Sequence, residues 1–304
     1  YVNWPCRLFN VWKSNQVLPV DINELPLPDR TYSKKNENKY RYLELVPCVH
    51  VRTSYSCPYK CVFCARTELN GNKYSARDIE NVVDEIAGIE CENIYFIDDD
   101  FLFNPERIRK FIELVREKGI KKKYVCYGRA DFIVKNENLM AELKDIGLYY
   151  VLTGLESTSD ECLNNYNKKI DMNCNIKAIE ITNRLGINMM GMFITDLDFE
   201  AKDFRSIYKF ARKNKLKHVA ISIYTPELDS VLYKQMKDRI ISDNPEHYDY
   251  LHVVAKPGKM SLKRYYFHYH VLVVRLFIRA NIDGIYSFLD YGYYIKSIIK
   301  NMFK

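Results

Sequence analysis

The sequence contains no run of about 18 consecutive apolar residues, which excludes a helical membrane span. The nearest approach, Val271–Val274, is stopped by Arg275. Nothing at the amino terminus reads as a signal peptide, and the chain opens on Tyr1 rather than methionine. The expectation is a piece excised from something longer. Concentrated charge is missing as well. Lysine plus arginine number 46 against 39 aspartate plus glutamate, an excess of 46 − 39 = +7, and Lys121-Lys122-Lys123 is the one tight run. With an excess this diffuse, no nucleic-acid partner is expected. It suits an anionic substrate or cofactor, or a membrane surface, and a solubilising exterior is the simpler reading.

A disulfide framework is absent too. The nine cysteines are an odd number, and Cys6, Cys48, Cys91, Cys126, Cys162 and Cys174 are scattered, several in apolar strand-like runs. These six read as small buried hydrophobes, and the compartment expected is a reducing cytoplasm. What is present is ordinary globular material. The 304 residues are 47% hydrophobic and 28% charged, enough for one large domain or two small ones.

Residues 1–45 are proline-punctuated, and "INELPLPDR" (Ile22–Arg30) favours extended chain over packed structure, so this segment reads as a lead-in. A rhythm then begins. Short apolar, β-rich runs fall at Val49–Thr53, Asn93–Ile97, Lys123–Tyr127, Tyr149–Gly154, Asn188–Thr195 and His218–Tyr224. Between them apolar residues recur at helical spacing: Ile79, Val82, Val83, Ile86; Ile108, Phe111, Ile112, Val115; Phe204, Ile207, Tyr208, Ala211. Ser75 with Asp78 resembles a capping box, and Asn104-Pro105 a helix start. Strands and helices alternating at about 30-residue intervals call for parallel pairing through crossovers. Chemistry then belongs at the C-terminal strand ends, whether the sheet curls toward a barrel or lies open. The tail, residues 226–304, is tyrosine-rich, cationic and helical in pattern. Helices packed over the barrel mouth are expected there, with a face lying on lipid headgroups as the other reading.

The loop after the first strand reads "SYSCPYKCVFC", which places Cys57, Cys61 and Cys64 in a C-x3-C-x2-C spacing with no fourth cysteine following. A structural zinc site wants four ligands, and Cys48 or His50, both within the strand, are the best fourth candidates. A [4Fe–4S] cluster held by three cysteines instead keeps one iron open to a ligand.

C-x3-C-x-aromatic-C after the first strand of a six-fold βα array resembles the radical S-adenosylmethionine (SAM) superfamily. In that family the open iron chelates the amino and carboxylate groups of SAM, and one electron splits a C–S bond to give a 5′-deoxyadenosyl radical. The resemblance implies an α/β fold, a partial (β/α)6 TIM-like barrel over residues 46–225. The proline-rich lead-in (1–45) precedes it and the helical extension (226–304) follows. It also implies that Cys57, Cys61 and Cys64 are the cluster ligands and the catalytic centre, and that the backbone of Phe63 contacts adenine.

"FIDDDFLFNPERIRKF" follows the second strand where many members bind the SAM ammonium. Asp98 or Asp99 would contact SAM or substrate there, while for Asp100 a polar strand end near the next helix N-terminus serves equally. In "CYGRADFI", Arg129 would pair with the SAM carboxylate, or else with Asp131 at the surface. "LTGLESTSDECL" resembles the family's G-(I/L)-E-S signature. Glu156 and Ser157 would then bind SAM, with Gly154 admitting close backbone approach.

The likeness is to the cobalamin-dependent branch, often methylases of unactivated carbon. It rests on "INELPLPDR", on Asp99-Asp100-Phe101-Leu102 or its one-residue shift, and on "YDYLHVVAKPGKMSLKRYYFHY", which is similar to extensions that include lipid-modifying members. The departures are a missing D-x-H-x-x-G motif and altered turns, "TDLDFEAKDF" and "TPELDSVLY", after strands five and six. Residues 1–21 are too short for a cobalamin domain, so either such a domain stood upstream of Tyr1 or cobalamin is not used. Branches with auxiliary clusters do not fit, because the last cysteine is Cys174. The cofactors implied are a [4Fe–4S] cluster, SAM and, on the first alternative, cobalamin. The partners implied are a small-molecule or lipid-like substrate and a reductant of flavodoxin or ferredoxin type, with peripheral membrane contact through the tail. Methyl transfer to a C–H bond leads. A cobalamin-free rearrangement, epimerisation or cyclisation, and a degenerate cluster-binding homologue, are the alternatives.

Overall fold

A computed structural model describes residues 21–66, 73–227, 230–289 and 291. Cys6, the first 20 residues and the stretch 292–304 lie outside them, as do two residues of "TPELDSVLY". Six parallel strands form the sheet: β1 (Val49–Val51), β4 (Asn93–Phe96), β5 (Lys123–Tyr127), β6 (Leu148–Glu156), β7 (Asn188–Thr195) and β8 (His218–Ile223). They pair in sequence order, β1-β4-β5-β6-β7-β8, with helices between successive strands. This is the TIM-like α/β architecture of a partial (β/α)6 barrel. The short strands β2 (Ser54–Tyr55) and β3 (Ser75–Ala76) form a separate antiparallel pair, which no sequence pattern announced.

Two cores hold the sheet. The outer one buries the helix stripes expected from spacing: Ile79, Val82, Val83 and Ile86 of helix Ile79–Gly88, and Ile108, Phe111, Ile112 and Val115 of helix Pro105–Glu117. Asn104 caps the latter helix by accepting from the backbone N–H groups of Glu106 and Arg107, with Pro105 in its first turn. The capping box at Ser75 does not form. Ser75 sits in β3 opposite Tyr55, and Asp78 precedes the helix without a side-chain cap. The inner core lies on the concave face, where Val125, Tyr150 and Leu152 meet Leu45 and Cys48.

That second cluster takes in the end of the lead-in, residues 42–48, while residues 25–30 run extended and largely exposed. Ile22 and Leu45 are buried, Tyr42 packs against Tyr95 and Tyr150, and Arg30 bridges the Glu85 carboxylate and the His50 carbonyl. Leu25 and Leu27, between the prolines, are 43% and 61% exposed in extended chain, and hydrophobic burial acts on the residues that follow them. In the tail, helix Leu262–Ile282 does not lie over the barrel mouth. It packs along the outside on helix Ala201–Lys213, and the Tyr265 hydroxyl donates to the Thr195 carbonyl at 2.7 Å. No helix among the described residues is long and apolar enough to cross a membrane.

Candidate functional site

The site is assembled where β1 and β4 end. β1 stops at Val51, two residues earlier than its apolar run, because the backbone at Thr53 turns to Asp98. The Asp98 carboxylate accepts from the Thr53 N–H at 2.6 Å, from the Ser54 N–H at 3.0 Å and from the Thr53 hydroxyl. Asp98 is therefore an anchor that launches the cysteine loop from β1, not a free ligand-binding carboxylate. Burial raises the pKa of this carboxyl, against the hydrogen bonds from Thr53 and Ser54 that favour its ionised form.

The loop is then clamped from both sides. Asn167 donates from Nδ2 to the Lys60 carbonyl at 2.9 Å, and the Val62 N–H donates to the Tyr166 carbonyl at 3.2 Å. Across the mouth, the Glu227 carboxylate accepts from the Ala65 N–H at 2.8 Å and from the Tyr250 hydroxyl. The three thiols come to the wall of one cavity, each half-buried. Burial pushes Cys57 up to about 12 and Cys64 up to about 11, so thiolate character at neutral pH has to come from bound metal. Among the described residues no three His, Cys, Asp or Glu side chains converge as a single ion requires. Thiols spread along one wall fit a cluster in which each sulfur takes its own iron. The donor set thus suits a cubane better than zinc.

The wall beside Cys61 is charged and buried. Arg129, at the end of β5, donates from Nε to Asp131 at 2.9 Å and from Nη2 to the Lys168 carbonyl at 2.7 Å, and its guanidinium lies 3.8 Å over the Tyr59 ring. Its remaining nitrogen, Nη1, points at the Cys61 sulfur at 4.0 Å. The pairing with Asp131 is real but buried rather than superficial. At the end of β6, Glu156 (φ +59°) pairs with Lys168 at 2.7 Å, and both are buried. Gly154 is the residue that permits this. A Cβ there would stand 2.1 Å from the Glu156 Oε1 atom and 3.0 Å from the Lys168 Nζ atom. Ser157 does not reach the cavity. Its hydroxyl accepts from the Ser159 N–H at 3.2 Å, and it serves the turn after the strand.

Asp99 faces the cavity, with the Arg66 guanidinium 3.9 Å away. Asp100 is 2% exposed and neither carboxylate oxygen has a hydrogen-bond partner. Burial pushes its carboxyl up to about 7, against the pull of Arg129 and Lys168. The Leu102 backbone also helps to hold its charge, and a cationic ligand on this wall would favour the ionised form further. Phe63 rests on Tyr166 and lies 5.9 Å from the Lys168 ammonium. The whole cavity measures about 460 Å³, and its apolar part is made by Tyr95, Ile97, Tyr127, Leu152 and Met192. Lys168 and Glu227 were not found from sequence, since each lies in a loop without periodicity. The sequence left Asp100 equally a polar strand end, and it is burial on the cavity wall that brings it into the site.

A partial parallel barrel with three thiols on the loop after its first strand, facing a charged cavity at the strand ends, defines a barrel built to carry a cluster beside a polar ligand. Comparison with known proteins gives the family. The sequence model of the Radical SAM superfamily matches residues 51–211, and this chain belongs to that superfamily, which uses a [4Fe–4S] cluster and SAM. The chain is 25% identical over 232 residues to the hopanoid C-3 methylase of Methylococcus capsulatus, covering 76% of this chain and 45% of that protein. It is 25% identical over 265 residues to the bacteriochlorophyllide d C-12(1)-methyltransferase of Chlorobaculum tepidum, covering 84% and 56%. The chain spans about half the length of the curated relatives it matches. Among solved structures, the cobalamin- and [4Fe–4S]-bound radical SAM methyltransferase TsrM of Kitasatospora setae superposes with a TM-score of 0.53 at 16% identity. That superposition covers 70% of this chain and 44% of TsrM, and it is a likeness of fold.

Proposed function

We propose that this chain is the SAM-cleaving core of a methyl-transferring radical enzyme. The observation that carries it is the single cavity uniting Cys57, Cys61 and Cys64 with Arg129, Asp99 and Asp100. Cys57, Cys61 and Cys64 would hold the cluster, which would supply the single electron for reductive cleavage of SAM and so for hydrogen abstraction from a substrate carbon. Arg129 is preset for a carboxylate, since two of its donors are fixed by the protein and Nη1 remains on the cluster side. Asp99 and Asp100 are placed for the ammonium, and a zwitterion suits a wall on which cations and carboxylates alternate. Phe63 supplies backbone beside adenine. Gly154 and Glu156 form the surface for the ribose. Tyr95, Tyr127 and Met192 form an apolar bed for the substrate, which keeps water from a radical.

Methyl transfer is supported by the likeness to the hopanoid and bacteriochlorophyllide methylating enzymes, and cobalamin as methyl carrier by the shared fold of cobalamin-bound TsrM. An external one-electron donor of flavodoxin or ferredoxin type completes the scheme. The test is product analysis after anaerobic cluster reconstitution with SAM, cobalamin and reductant. 5′-Deoxyadenosine formed by the wild type and abolished in Cys61→Ala supports the cleavage core, and S-adenosylhomocysteine appearing beside it supports methyl transfer. 5′-Deoxyadenosine alone, with or without cobalamin, overturns the methyl-transfer part. Neither nucleoside overturns the whole.

A further inference from the structure

Helix Leu262–Ile282 carries two apolar stripes. The first, Tyr265, Tyr269, Leu272, Leu276 and Ala280, is buried against the barrel's outer layer and fixes the roll of the helix. The second is Phe267, Val271, Val274, Ile278 and Ile282, whose spacings of 4, 3, 4 and 4 keep them on one side. With the first stripe held down, the second faces outward, and its members are 39% to 80% exposed. Phe277, also exposed, broadens it. Single exposed apolar residues are ordinary, but a continuous stripe along a whole helix marks a surface made to be covered.

Charge says what covers it. The helix holds Lys263, Arg264, Arg275 and Arg279 and no acidic residue over its 21 positions. Its C-terminal half opens onto a groove of about 740 Å³ in which Ile278 and Ile282 are bordered by cations. Arg212, Lys215, Lys217, Arg275 and Arg279 stand there against Asp283 alone, 5 − 1 = +4. That is over half of the chain's net +7 gathered beside one apolar stripe. A second copy of this chain is a poor occupant, because a two-fold contact would set these cations against each other. An anionic bilayer surface answers both halves, with acyl chains for the stripe and lipid phosphates for the groove. The Arg275 guanidinium, 4.1 Å over the Tyr208 ring, already lies along an apolar surface as a snorkelling side chain does.

We propose that this helix face docks the protein on an anionic membrane, lying in the interface with the stripe inserted and the groove cations on the headgroups. None of these residues lines the thiol cavity, so the proposal stands apart from the methyl-transfer reading. The experiment is cosedimentation of the full chain with phosphatidylcholine vesicles, with and without phosphatidylglycerol. The wild type is expected to pellet with the anionic vesicles, to remain in solution with the neutral ones and to be released by salt. Val274→Ser/Ile278→Ser and Lys215→Glu/Lys217→Glu should each lower the partition coefficient at least about tenfold. All four positions are exposed, so circular dichroism and thermal midpoint should stay at wild-type values. A wild type that ignores anionic vesicles, variants that bind as well as it does, or a solution dimer that the variants dissolve would overturn the proposal.

Discussion

Replacing Lys168 by methionine keeps the length of the side chain and removes its charge. Glu156 then loses the ammonium held at 2.7 Å in a pocket where both residues are buried. Breaking a buried pair from one side costs about 3–5 kcal/mol, because the charge left behind has neither water nor partner. An independent route gives a similar figure. Neutralising an ordinary glutamate at about pH 7.5 costs about 4 kcal/mol, at about 1.36 kcal/mol per pH unit above about 4.3. Lys168→Met should therefore destabilise the protein by about 3–5 kcal/mol. Lys168→Met/Glu156→Gln, which leaves no stranded charge, should cost at least about 2 kcal/mol less than the sum of the two single changes. Anaerobic urea denaturation of the wild type and three variants measures both quantities. A Lys168→Met loss below about 1 kcal/mol, or simple additivity, would refute the claim that the pair is a coupled buried unit.

Three further outcomes follow from the same structure. Gly154→Ala puts a Cβ 2.1 Å from the Glu156 Oε1 atom and 3.0 Å from the Lys168 Nζ atom, so the pair must shift on the cavity wall, and SAM affinity by calorimetry should fall about tenfold or more. Glu227→Ala removes the acceptor for the Ala65 N–H and the Tyr250 hydroxyl, and the cluster should be lost faster to an iron chelator than in the wild type. His218 is buried near Tyr150, and burial holds its imidazole below the usual histidine range, with Glu44 pulling up and Lys217 down. The unfolded chain therefore takes up the proton first. The contribution of His218 is full above about pH 6.5 and is lost as pH falls below it, so the wild-type thermal midpoint should drop more steeply than that of His218→Gln between about pH 7.5 and about pH 5.5.

The strands were the most legible part of the fold. β5 and β7 fall at Lys123–Tyr127 and Asn188–Thr195, the bounds their apolar runs indicate, because parallel strands covered on both faces leave uninterrupted hydrophobic sequence. β1 was drawn too long because Thr53 looks like strand, and only the tertiary bond to Asp98, 45 residues on, shows the chain turning there. Ser75 was misplaced for a similar reason. A local S-x-x-D pattern lost to pairing with Tyr55 across the sheet. At the site, the cysteine spacing and Gly154–Glu156 were readable because their chemistry is local in sequence. The three aspartates were not separable by pattern. Asp98 and Asp100 turn inward to different surroundings, and Asp99 stays on the open wall. Lys168 and Glu227 come from loops whose partners lie 12 and 162 residues away, a distance no periodicity spans.

The central claim is that three thiols hold a cluster whose remaining iron takes SAM beside Arg129 and the aspartates. Electron paramagnetic resonance of the anaerobically reconstituted, reduced protein tests it most directly. The account predicts iron and sulfide in the proportion of a [4Fe–4S] cluster and a signal whose shape changes when SAM is added, with both lost in Cys61→Ala. Bound zinc, no metal with Cys57, Cys61 and Cys64 intact and reduced, or a cluster spectrum indifferent to SAM would contradict it.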